Sequence, residues 1–165
     1  MGLLDGLKKF GNMLTGGGAK VTLEIINPTL TGEFLGKIKA VISDADLKIA
    51  KVYLKVAGVE KVIIKNVSFP NSSGSTSTSL TSATKKDLEE SAFTYQNEIK
   101  VTDAITLTAK QEYNWDVKIQ LPAYALPTFQ GINAKHEWQF LAGLDSSGND
   151  PDSGWITTII SPNFR

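Results

Sequence analysis

YNWDVKIQLPAYALPTFQGINAKHEWQFLAGLD, residues 113–145, decides the fold of this chain. Two half-apolar runs of strand length flank a connection, residues 121–131, that contains two prolines. Proline removes a main-chain hydrogen-bond donor, so it rarely lies in a strand interior. The pattern therefore predicts a strand over Tyr113–Leu121, an irregular crossing and a second strand over Ala134–Leu144. The length and the aromatic residues of the second run favour a strand there.

Elsewhere in the sequence, apolar residues recur with a period of two residues, which is typical of strands. Val21–Ile25, Phe34–Ile42 and Ala50–Val56 alternate apolar and polar residues, and turn-forming residues follow each run. Gly58 is predicted to turn the chain into a fourth strand, Val59–Phe69. Further strands are predicted over Ser91–Val101, Ala104–Lys110 and Trp155–Ile160. Strands that polar turns separate, without strand–helix alternation, predict an all-β, immunoglobulin-like antiparallel sandwich.

The composition is that of one globular domain, with 165 residues of which 41% are hydrophobic and 21% charged. The absence of cysteine excludes disulfides, thiolate metal sites and cysteine nucleophiles, and it agrees with an expected cytoplasmic location. Basic and acidic residues number 17 each, so no global positive field attracts nucleic acid, and none is expected as a partner. No apolar run reaches the roughly 18–20 residues of a membrane-spanning helix.

Residues 1–18 differ from the rest because their apolar residues follow a helical period. We predict a short N-terminal amphipathic helix and a glycine hinge there, ahead of a sandwich domain over residues 19–165. One face carries the candidate membrane- or partner-binding residues Leu3, Leu4, Leu7, Phe10 and Leu14. Lys8 and Lys9 lie on the opposite face and would favour anionic lipid. The alternatives are a helix packed on its own sheet, a frayed end, an interfacial helix and a partner-docking helix.

Residues 71–84, NSSGSTSTSLTSAT, form a low-complexity segment with one large apolar residue, Leu80. Such a composition contributes little to a core, so the segment is predicted to be a solvated loop between strands. For residues 85–90, a short helical turn and an extension of the next strand stay open.

Catalytic motifs are missing from the sequence. The single histidine, His136, cannot form a histidine-based metal site, and its neighbour Glu137 would point to the opposite face of a strand. We interpret His136 as a strand residue with a structural hydrogen bond. No phosphate-binding glycine loop and no nucleophile elbow occurs. Neither an enzyme nor a cofactor is therefore expected.

Three surface features have weaker functional interpretations. The acidic turn Asp145–Asp152 is interpreted as a hairpin turn, and whether it binds a cation stays open. A basic strip on one sheet face, interpreted as solvated, is predicted from Lys48, Lys51, Lys55, Lys61 and Lys65. Carbohydrate recognition by exposed aromatic residues is a weaker hypothesis, for which the candidates are Trp138, Trp155 and Tyr124.

Thr31–Gly58, TGEFLGKIKAVISDADLKIAKVYLKVAG, resembles the early strands of arrestin-like domains. In those domains a Gly-Glu-x-x-x-Gly turn leads into an alternating strand, and a second strand that ends in glycine follows. The proline crossing together with Ala134–Asp145 is similar to the later segment of the same domains. The pattern is most similar to the bacterial sporulation-control proteins, which also open with a short amphipathic segment ahead of glycines. The resemblance covers roughly residues 20–160, except for the Ser/Thr-rich loop.

The resemblance implies an arrestin-like sandwich that serves as a non-catalytic protein-binding adaptor or regulatory scaffold. Its binding surface would be an exposed sheet edge or a sheet face. Family members usually carry two sandwiches in tandem, and this sequence accounts for one, so a homodimer is a further expectation. The alternative hypothesis is a peripheral membrane protein, anchored through the N-terminal helix.

Overall fold

The computed structural model describes residues 17–69 and 84–162. Within these ranges the regular structure consists of nine β-strands and no helix. The strands are β1 Ala19–Ile26, β2 Glu33–Ile42, β3 Leu47–Phe69, β4 Thr84–Thr102, β5 Ile105–Leu107, β6 Glu112–Gln120, β7 Phe129–Gln130, β8 Ala134–Ser146 and β9 Ile156–Thr158. The predicted N-terminal helix and nearly all of the predicted Ser/Thr-rich loop lie outside the described residues.

The strands form two antiparallel sheets that pack face to face. The smaller sheet has the order β1-β2-β6, and the larger has the order β4-β3-β8-β7, with β5 on β3 and β9 on β8. Apolar side chains from both sheets form one core. In this core the rings of Phe34 and Phe140 pack edge to face, with 6.2 Å between their centroids. The all-β sandwich predicted from the period of two is confirmed.

The inward positions of each strand agree with the sequence pattern. In β2 the residues from Phe34 to Ile42 alternate strictly between buried and exposed. In β8 His136, Trp138 and Phe140 point into the core although charged or amide residues separate them. The outer face of the smaller sheet is polar and carries cross-strand ion pairs such as Lys39–Glu112 at 2.7 Å.

The turn predicted at Gly58 is wrong. β3 runs without interruption for 23 residues, and Gly58 lies in its interior opposite Trp138 of β8. A glycine inside a strand often marks a bulge or a close approach rather than a turn. Both occur here, because the β3–β4 register shifts between Gly58 and Val59, and the Trp138 ring lies over the missing Cβ.

The hairpin of β3 and β4 extends beyond the sandwich. The pairing of β8 with β3 ends at Val62, whereas β4 accompanies β3 to Phe69. Residues 85–90, for which a helical turn and a strand were both open, belong to β4. β4 is therefore a long strand at the margin of the larger sheet.

Candidate functional site

The free side of β4 is the most distinctive exposed feature of the described residues. β4 is 19 residues long and pairs with β3 on one side, and no other described strand pairs with it. Among the described residues, no strand therefore pairs with its second row of main-chain N–H and C=O groups. Such an edge is a template for strand addition.

A β-bulge at Thr94 shapes the middle of this edge. Gly58 pairs with Tyr95 and Val59 pairs with Phe93, which leaves Thr94 as the extra residue. The bulge directs Tyr95 toward the core, where its ring lies 5.9 Å from that of Trp138. Phe93 remains 60% exposed. Bulges of this kind redirect side chains at sheet edges and binding sites.

His136 connects the bulge to the proline crossing. Its Nε2 lies 2.8 Å from Thr94 Oγ1, and its Nδ1 lies 3.1 Å from the carbonyl oxygen of Pro127. Because a carbonyl only accepts, Nδ1 carries the proton, and in the neutral ring Nε2 accepts from the Thr94 hydroxyl. The side chain is fully buried. His136 thus makes structural hydrogen bonds in a strand, as the sequence predicts.

Trp138 holds the same crossing one residue earlier, at Leu126. Its indole N–H donates to the carbonyl oxygen of Leu126 at 2.8 Å, and its ring is completely buried against His136 and Tyr95. Two β8 side chains therefore bind consecutive carbonyl groups, those of Leu126 and Pro127. The crossing is held at a defined distance from the larger sheet.

A preformed apolar cleft lies between the crossing and the edge strand. Its volume is about 200 Å³, and its walls are Thr94, Tyr95, Tyr124, Ala125, Leu126 and Trp138. Tyr124 is 70% exposed and Leu126 41%, so both present apolar surface at the rim. A concave apolar site with a few polar groups is the usual form of a binding site. The cleft and the open edge of β4 share Thr94 and Tyr95 and form one site, which we call the edge site.

A second, shallower cleft lies on the outer face of the larger sheet, beside Trp155, with a volume of about 530 Å³. One of its charged walls already has a partner, because Glu98 accepts a hydrogen bond from Lys51 at 2.5 Å. Lys55 lies 5.1 Å from the ring centre of Tyr53. Burial, followed by the nearby carboxylates, raises the pKa of Tyr53 to about 12, which keeps its hydroxyl neutral.

The structure also places the other residues that the sequence analysis selected. The predicted basic strip is broken up, because Lys51 pairs with Glu98 and Lys61 pairs with Glu137 at 3.2 Å. In the acidic turn, Asp150 accepts from the Ser146 N–H, and Asp152 accepts from the Gly154 N–H. Among the described residues, no group of three or more His, Asp or Glu side chains is arranged to hold a metal ion.

The remaining candidates separate into three groups. Trp138 is buried and cannot serve as a stacking platform, whereas Tyr124 and Trp155 line different clefts. The N-terminal candidates lie outside the described residues, and they are Leu3, Leu4, Leu7, Lys8, Lys9, Phe10 and Leu14. No helix among the described residues is long and apolar enough to cross a membrane.

The sequence predicts an exposed sheet edge as one form of binding surface and selects Tyr124 and Trp138, but it does not bring these features together as one site. Thr94, Tyr95 and Leu126 belong to segments for which the sequence predicts only a strand and a crossing. The available signal was Gly58, because a glycine inside a strand pattern predicts a close approach by a bulky neighbour.

The sheet order and the packing of the two sheets define an antiparallel β-sandwich. Spo0M, a sporulation control protein from Bacillus subtilis, has a similar structure, with a TM-score of 0.60 over 90% of this chain and 15% sequence identity. This chain spans about half of that protein, 51% of its length. No protein-family model and no curated protein matches the sequence. The similarity confirms, at the level of the fold, the resemblance that the sequence motifs indicated.

Proposed function

We propose that this protein is a non-catalytic, protein-binding regulatory module of the arrestin-like type. The observation that carries the proposal is the edge site, in which an open 19-residue strand adjoins a preformed apolar cleft. Main-chain groups of an edge strand supply affinity for an extended partner, and a neighbouring pocket supplies specificity. The edge site combines both elements.

Two further observations support a binding role over a catalytic one. The buried histidine of the site is engaged at both ring nitrogens by Thr94 and Pro127. A side chain held in this way positions the cleft and has no free nitrogen for proton transfer to a ligand. The name of Spo0M, a sporulation control protein, also supports a regulatory role.

The proposal is tested by site-specific photo-crosslinking in cells. A photoreactive residue replaces Tyr124, which lines the cleft and is 70% exposed, and a matched one replaces Asn114, which is exposed on the outer face of the smaller sheet. We expect a discrete protein adduct from position 124 and none of comparable yield from position 114. Equal adducts from both positions, or none from either, would contradict the proposal.

A second proposal concerns the N-terminal segment and rests on its helical period alone. In it, the apolar face from Leu3 to Leu14 anchors the protein to a membrane surface, where each of Lys8 and Lys9 contributes about 1 kcal/mol on anionic lipid. Flotation with neutral and anionic liposomes is compared for the full chain and for a variant without residues 2–14. Flotation of the full chain alone, enhanced by anionic lipid, supports the anchor. Equal behaviour of both chains contradicts it.

A further inference from the structure

We propose that the edge site binds an extended peptide segment that runs antiparallel to β4, inserts one large apolar side chain into the cleft and carries lysine or arginine after that side chain. This inference rests on the proposed protein-binding function and specifies the partner. It follows from the main chain, the cleft and the charges of the edge site.

The main chain of β4 sets the conformation of the partner. Beside the cleft, Phe93–Asn97 lies at the free margin of the larger sheet, with β3 on its other side. An added strand satisfies the open N–H and C=O groups, and antiparallel pairing is slightly more stable per residue than parallel pairing. Successive side chains of that strand point to opposite faces, so alternate ones face the cleft.

The cleft sets the nature of the anchoring side chain. A volume of about 200 Å³ equals that of six or seven waters at about 30 Å³ each, which suits one large apolar side chain. Tyr95 and Trp138 form the floor, and Tyr124 and Leu126 stand at the rim. The hydrogen bonds from His136 and Trp138 to the crossing hold these walls in place before binding. A preformed site loses little conformational entropy when it is occupied.

The charged residues along β4 determine where the partner segment carries its lysine or arginine residues. Glu89 and Glu90 precede Thr94 by five and four positions, and neither forms an ion pair with another described residue. On the other side of the cleft, Glu98 is already paired with Lys51. The unpaired negative charge therefore lies toward the tip of the hairpin.

The direction of pairing converts this charge into a sequence pattern. An antiparallel partner runs from the cleft toward lower residue numbers of β4, so its basic residues follow the apolar anchor by about four to five positions. Lys85 and Lys86 lie beyond the two glutamates, and their positive charges would repel further basic residues of the partner segment. The pattern is one large apolar residue, an extended spacer, and one or two basic residues.

A display library of random sixteen-residue peptides, selected on the immobilised full chain, tests the inference. We expect enriched peptides to share the apolar-spacer-basic pattern. A synthetic copy of one of them should bind the full chain at least tenfold more tightly than copies with serine at the anchor or glutamate at the basic positions. Enriched peptides without this pattern would overturn the inference and leave protein binding intact, whereas no enrichment at all would count against the proposed function as well.

Three protein variants locate the binding of the same synthetic peptide. Leu126→Glu places a charge at the rim and should weaken binding at least tenfold, whereas Ile105→Glu makes the same change at a similarly exposed residue of β5 and should leave binding unchanged. The double variant Glu89→Lys, Glu90→Lys should prefer the copy with glutamate at the basic positions. Equal affinity of all three variants for the original peptide would place binding elsewhere and overturn the inference. Circular dichroism confirms that each variant is folded.

Discussion

Gly58 is the residue on which the shape of the edge site depends most directly. A Cβ at this position would lie 2.5 Å from Thr94 Oγ1 and 3.1 Å from His136 Nε2. Both atoms belong to the hydrogen bond that fixes the bulge, so neither can move without breaking it. The absence of a side chain at Gly58 allows the bulge and the Trp138 ring to approach each other.

Gly58→Ala should therefore lower the free energy of unfolding by about 1–3 kcal/mol, the usual cost of overpacking. Most glycine-to-alanine changes in strands act in the opposite direction, because they reduce the entropy of the unfolded chain. Urea denaturation measures the change. The control is Gly17→Ala, where an added Cβ meets no atom within 4 Å and the expected effect is within about 0.5 kcal/mol. Equal stability of the two variants would show that the approach at Gly58 is not tight.

Glu137 provides a prediction about pH at the same scale. Burial alone would raise the pKa of its carboxyl group, but hydrogen bonds from Lys135, Lys61 and Gln139 outweigh burial and hold the pKa below its usual range. A carboxyl group with a lowered pKa stabilises the folded state above its unfolded pKa. This stabilisation is lost as the pH falls through the folded pKa.

Glu137→Gln should consequently reduce the free energy of unfolding on the order of 1 kcal/mol at pH 7, and the difference from the unmodified protein should shrink below about pH 4.5. Chemical denaturation between pH 3 and pH 7 follows this difference. A difference that stays constant over the whole range would exclude the charged carboxylate as its cause.

The proline crossing between β6 and β7 is the element that forms the outer wall of the cleft. Its carbonyl groups at Leu126 and Pro127 are bound by Trp138 and His136, and Thr128 N–H donates to the Ile160 carbonyl at 2.8 Å. The crossing has no regular structure from Leu121 to Thr128, so these contacts with the larger sheet and the C-terminal segment determine its position.

Trp138→Phe removes the indole donor and leaves the Leu126 carbonyl without this partner, which costs about 1–3 kcal/mol. We expect faster hydrogen exchange at the amides of Ala125 and Thr128, with the exchange of β1 unchanged. Trp155→Phe is the matched control, because Trp155 is half exposed and forms no hydrogen bond through its indole among those of the described residues. If Trp155→Phe accelerated exchange in the crossing as much as Trp138→Phe, the hydrogen bond from Trp138 would not be what holds the crossing in place.

The elements differ in how well the sequence predicts them. β2 follows from the period of two, because burial on one face of a strand produces that pattern directly. β8 is predicted instead from the length and the aromatic residues of its segment. The continuity of β3 through Gly58 does not follow, since local sequence cannot distinguish a turn glycine from one that accommodates a ring on another strand. The edge site joins residues of β4, β8 and the crossing, and its bulge depends on a contact between Thr94 and His136, which are 42 positions apart.

At the scale of the whole molecule, the open edge of β4 predicts which strand forms the interface between two copies of the protein. From the sequence, a homodimer is expected through the face that a second sandwich covers in family members. We predict instead a dimer in which two β4 margins lie side by side, because a long open edge pairs readily with its own copy. Light scattering at tens of micromolar should then report a dimer, and saturation of the edge site with a display-selected peptide should dissociate it. A monomer at that concentration, or a dimer that the bound peptide leaves intact, would contradict pairing through β4.

The central claim is that this β-sandwich binds a partner strand along β4. Amide hydrogen exchange of the full chain, with and without a display-selected peptide at saturation, tests this claim most directly. In the monomeric protein, we predict that the peptide slows exchange at those amides between Glu90 and Asn97 that pair with no described strand, and leaves the edge strands β1 and β6 of the smaller sheet unchanged. Slower exchange along β1 or β6 with none along β4 would contradict the claim.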